Sequence, residues 1–141
     1  MKKMSIKATA GLLMVSGVLA ILSFTILPQA KIFTAPASAD AVVNPVKGNA
    51  DATAAGKKID DSNCSICHGS KGMGDGVAAA GLAKPPANHT SAAVQKLSDG
   101  ALFWMITEGN APMPAYKGTY SETQRWQLVN YIRTLAKPVK K

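Results

Sequence analysis

Sixteen Lys and Arg stand against eight Asp and Glu in a chain of 141 residues, a formal charge of +8. Four of the cations, Lys2, Lys3, Lys7 and Lys31, lie before residue 40, so the remainder carries twelve against eight, only +4. That surplus argues against nucleic acid and for electrostatic docking on an acidic protein partner. The length allows one domain, and the two cysteines, separated by two residues, would close a disulfide loop too small to stabilise a scaffold.

In chain order, the first feature is an apolar run from Ala10 to Leu27, preceded by Lys2, Lys3 and Lys7 and ended by Pro28. Positive charge ahead of such a run holds its start in the cytoplasm and places the residues beyond it outside the membrane. Two fates are compatible with it. Ala37-Ser38-Ala39 is a small-x-small sequence that signal peptidase accepts, which would start the mature chain at Asp40. Yet 18 apolar residues exceed the roughly 7 to 15 of a usual signal core and approach a bilayer span, as a retained anchor would.

Residues 28–50, with Pro28, Pro36 and Pro45 and no sustained period, read as linker. From Asp51 to Ile59 the composition predicts a helix that leads into Cys64-Ser65-Ile66-Cys67-His68. Residues three and four apart project from one helix face, so the two thiols and the imidazole address a common object. Two thiols added across two vinyl groups, with a histidine reaching the iron, are the attachment chemistry of a c-type haem. Two rival readings stand beside it. A Cys-x-x-Cys thiol–disulfide couple calls for a βαβ context that the flanks lack. A zinc site built with His68 and His89 would crowd three ligands into five residues.

Gly69 to Asn88 reads as loop, with five glycines, Pro85-Pro86 and a turn at Val77 to Leu82. Short helices are predicted over Ala92–Leu97 and Asp99–Glu108, the second capped by Gly109. Pro112 and Pro114 exclude helix around Met113 and hold it in an extended stretch, from which a thioether can close over the iron face opposite His68. His89, in a polar Asn-His-Thr context, is read as solvated and as the runner-up ligand; Met105 is read as core, and Met73 as a loop residue. Ser121 with Gln124 forms a capping-box pattern. Leu128, Tyr131, Ile132 and Leu135 continue it as an apolar stripe, so the last helix is expected over Glu122–Ala136, with Pro138 beyond it. With no convincing strand, the expected fold is an all-α bundle of short helices around one covalently bound haem, which supplies the apolar centre that so few residues lack.

From Asp51 to Ala136 the chain resembles the class I c-type cytochromes, the small monohaem electron carriers. Gly56-Lys57-Lys58-Ile59 lies eight residues ahead of Cys64, as in the family's N-terminal helix, where the glycine admits the C-terminal helix. Arg125, Leu128, Tyr131 and Ile132 match that second helix, and Met113 stands where the family places its sixth ligand. The resemblance implies haem c held by Cys64 and Cys67, iron ligated by His68 and Met113, and a Pro85 or Pro86 carbonyl on His68 Nδ1. One departure is Asp60, where the family carries an aromatic; Trp126 or Tyr131 is expected to fill that gap.

The resulting organisation is signal peptide or membrane anchor over 1–39, linker over 40–50 and haem domain over 51–138. The function expected is outer-sphere transfer of single electrons between respiratory redox partners, at the periplasmic or outer face of the membrane, with anchorage through residues 10–27 if that run is kept. No side chain need act as acid, base or nucleophile. The alternatives are a peroxidase-like haem catalyst with a displaceable sixth ligand and a haem-free dithiol or metal-binding protein.

Overall fold

The computed structural model describes residues 33–136. The apolar run at 10–27 and Pro138 lie outside them. Among the described residues every regular element is helical, and none is long and apolar enough to cross a membrane.

A helical turn, α1 (Ala37–Asp40), precedes α2 (Ala50–Ile59), which Asn49 caps by accepting from the Ala52 amide at 2.8 Å. The helical path continues through a π-helical turn, Asp60–Cys64, into α3 (Ser65–His68), so the cysteine motif is the end of one long helical run. A loop with a 3-10 turn at Ala79–Gly81 leads to α4 (Ala92–Gln95) and α5 (Asp99–Glu108). The last element, α6 (Glu122–Thr134), opens with the expected capping box: Ser121 Oγ accepts from the Gln124 amide at 3.2 Å, and Gln124 Oε1 from the Ser121 amide at 2.8 Å.

The core lies where α5 meets α6, through Leu102 and Ile106 on one side and Trp126, Leu128, Val129 and Ile132 on the other. Helix α6 also crosses α2, and Gly56 sets the closeness of that crossing. A Cβ on Gly56 would fall onto the Gln127 carbonyl of α6, so only glycine fits. This pair fixes the direction in which α2 delivers Cys64, Cys67 and His68.

The segment read as linker is packed. The described residues all belong to one compact unit, and within it Ala39 is 5% exposed, its carbonyl against Gly100, where a Cβ would collide. Asn44 is buried and donates to Asn130 Oδ1 at 2.8 Å and to Asp99 Oδ2 at 3.1 Å, while Asn130 Nδ2 donates to the Val46 carbonyl at 2.6 Å. Asp40 accepts from Ser98 Oγ at 2.5 Å. Composition hides this because the segment is held by single polar side chains and backbone, without an apolar period to signal burial.

Candidate haem site

A cavity of about 500 Å³ opens between the end of the α2–α3 run, the 84–97 segment, α5 and the turn at Met113. Its size is that of a small-molecule site. Cys64, Cys67 and His68 line one wall, and Leu97, Ile106, Leu128 and Ile132 make the lining largely apolar. Met113 lines the same cavity. The structure thus brings all four predicted site residues to one apolar space, which fits a flat apolar macrocycle, with an imidazole and a thioether of the types that bind haem iron on its walls.

His68 is oriented by the backbone. Its Nδ1 lies 2.9 Å from the Ala87 carbonyl. A carbonyl only accepts, so Nδ1 carries the proton and Nε2 is left with its lone pair. The acceptor is therefore neither Pro85 nor Pro86 but the next residue; the diproline shapes the loop, and the first carbonyl beyond it meets the ring. Burial also lowers the His68 pKa, against the raising effect of that bond. A neutral ring with a free Nε2 is the form that ligates iron.

The thiols discriminate between the readings of the motif. Burial, with smaller contributions from Asp60 and Cys67, pushes the Cys64 thiol up to about 12. A dithiol redox couple works through a thiolate with a depressed pKa, the opposite of this environment. Both cysteines are partly buried and unbridged.

Met113 closes a tight turn, as the bridge partner of Asn110. Its amide donates to the Asn110 carbonyl at 3.0 Å, and its carbonyl accepts from the Asn110 amide at 2.9 Å. Pro112 lies within this closed loop and Pro114 just after it, and Met113 is half-buried against the core. Met105, read as core, is only partly buried and instead lines the cavity from α5.

His89 is not solvated. It is 9% exposed and stacks on His68, with ring centroids 4.1 Å apart and planes at 20°. Burial, then the neighbouring His68, pushes its pKa down to about 3. A ring stacked flat on His68 lies beside that imidazole, on its side of the cavity. Its amide donates to the Gly72 carbonyl at 2.7 Å, so the glycine loop draws it inward.

Trp126 does not fill the place of the missing aromatic. Trp126 is 1% exposed and stacked on Phe103 at 4.0 Å, with its Nε1 unpartnered. Tyr131 lies on the α2 side, 5.8 Å below the Lys57 ammonium. Asp60 itself occupies the position, buried to 1% exposure, on the cavity wall. Sequence reasoning also missed Phe33 and Thr34, which line the cavity from the packed N-terminal segment, Phe33 against Trp104 at 5.4 Å. No motif signals them.

The comparisons agree with this geometry. The model of the family described as cytochrome c oxidase, cbb3-type, subunit III, matches residues 51–132. A chain of a reducing HAO-like protein complex from Kuenenia stuttgartiensis is similar in structure, with a TM-score of 0.57 and 28% identity, over 68% of this chain and 50% of that chain. The likeness therefore spans half of that relative. Comparison with curated proteins gives no match. With more than half of its residues matched, an all-α architecture and a Cys64-Ser65-Ile66-Cys67-His68 motif on an apolar cavity, the chain belongs to this family of c-type cytochromes and carries covalently bound haem c.

Proposed function

We propose that this protein is an exported monohaem electron carrier or electron-transfer subunit, passing single electrons between redox partner proteins without binding a substrate at iron. The observation that carries the reading is the convergence of His68, with Nδ1 anchored on Ala87, and Met113, held in its own closed turn, on one apolar cavity. Haem c supplies one iron that changes oxidation state by a single electron, at a potential that methionine ligation raises. Cys64 and Cys67 tether the group; His68 and Met113 are assigned as axial ligands. The apolar walls keep water away, and two ligands on backbone-anchored segments keep rearrangement between oxidation states small.

Docking is assigned to the rim. Ile66 and Val77 are 55% and 92% exposed beside the motif, and Lys84 stands exposed at the cavity edge. A small apolar patch with a neighbouring cation suits a transient complex with an acidic redox partner.

The packed N-terminal segment bears on processing. Cleavage after Ala39 would remove Phe33 and Thr34 from the cavity wall and Ala39 from Gly100. We infer that these residues stay in the exported protein.

Optical spectroscopy of purified holoprotein tests the ligand assignment. The wild type is expected to be low-spin in both oxidation states, with the weak near-infrared absorption of methionine ligation when oxidised. Met113→Ala is expected to become high-spin or to bind added ligands. An unchanged low-spin spectrum and unchanged potential in Met113→Ala would remove Met113 from the iron. A high-spin wild type would favour the peroxidase-like alternative.

A further inference from the structure

The haem cavity contains a group that electron transfer alone does not call for. Asp60 is 1% exposed, lines the cavity, and neither of its carboxylate oxygens has a hydrogen-bond donor. It stands one turn before Cys64, in the π-helical turn that joins α2 to the motif; such turns often mark functional positions in helices. An unpaired buried carboxylate is costly, and ordinary packing would place an apolar side chain here.

The neighbouring charges do not compensate it. On its own helical run, Lys57 is exposed and committed to Asp61 at 2.6 Å, and Asp61 adds like charge. From α6 the facing titratable group is Tyr131, a phenol whose own ionisation Asp60 opposes. The other titratable residues on the cavity wall, besides the two cysteines, are Lys84, His68, His89 and Tyr116, and none of them bonds to Asp60. Burial, assisted by Asp61 and opposed by Lys57, lifts the carboxyl to about 6. A porphyrin filling the cavity would exclude remaining water, and its charge would act on Asp60 with little screening.

Resting on the electron-carrier reading, we propose that Asp60 is a redox-linked proton site, taking up one proton from solvent when the domain accepts an electron and releasing it when the electron leaves. One electron arrives from the donor protein, and one proton passes from hydronium to an Asp60 oxygen, breaking a hydronium O–H bond, forming the carboxyl O–H bond and leaving water. The two added charges cancel, so the buried site changes its net charge little between oxidation states. The reverse step returns the proton to water as the acceptor takes the electron.

The test is the reduction potential of the holoprotein as a function of pH. Reduction is expected to become less favourable as pH rises between about 5 and 8. The limit is tenfold per pH unit, about 59 mV for a one-electron couple. Asp60→Asn, nearly isosteric and uncharged, is expected to keep the low-spin spectrum and lose that dependence. Persistence of the wild-type pH profile in Asp60→Asn would overturn the proposal and assign the proton to a haem propionate or another wall residue. Should the variant fail to retain haem, wild-type protein labelled with ¹³C-aspartate decides by redox-difference infrared spectroscopy. The carbonyl stretch of a protonated aspartic acid, shifted by the label, should appear on reduction; its absence overturns the proposal. A reversible one-electron couple with a pH-independent potential would sink the Asp60 assignment alone and leave the carrier reading standing.

Discussion

Asp60 sets stability and redox response against each other. Its carboxyl is raised from 3.8 to about 6 in the fold, chiefly by burial, so the folded chain binds a proton that the unfolded chain has already lost. Its contribution to stability is therefore highest below about pH 4, falls as pH rises through the interval to about 6, and stays reduced above it. Asp60→Asn lacks this loss. We expect the variant to exceed the wild type by about 1–3 kcal/mol at pH 8 and to match it near pH 4, in denaturant melts of protein held in one oxidation state. That His68 and Met113 belong to one site was legible, since a short motif and a proline-braced methionine declare themselves, and both line the same cavity. His89 was not: an Asn-His-Thr context looks solvated, and its burial depends on the Gly72 backbone that captures its amide. Ala87 was missed by one residue, since sequence shows a diproline but not where the following carbonyl points.

At the scale of elements, the α2–α6 crossing holds the site in register. Gly56→Ala would drive a methyl group onto the Gln127 carbonyl, and the helix propensity gained is far smaller than the clash. The expected net loss is about 2 kcal/mol or more, read as a lower denaturation midpoint. Ser121→Ala removes the capping box that starts α6 and should cost about 1 kcal/mol, measurable in the same melts. Helix α6 was the most legible element, because its cap pattern and apolar stripe are local. The Met113 segment was legible as non-helical, while its closure by two bonds to Asn110 was not, since those bonds depend on the turn's geometry.

For the whole molecule, the segment from Phe33 to Asn49 extends the haem domain beyond the family match at 51–132. Asn44→Ala would leave Asn130 Oδ1 without its buried donor, and a loss of about 1–3 kcal/mol is expected in chemical denaturation. Intact mass of the exported holoprotein is expected to include Phe33; a mass beginning at Asp40 would overturn the inference that the segment is kept. What the amino-acid sequence determined by itself is the cofactor, its attachment motif and the helical class, all carried by local spacing and composition. The tertiary structure decided which carbonyl orients His68, that His89 is buried beside it, that a carboxyl stands unpaired on the haem wall, and that the supposed linker is part of the fold. Those features arise where segments far apart in the chain meet, and burial and hydrogen bonding there depend on which surfaces the packing brings together.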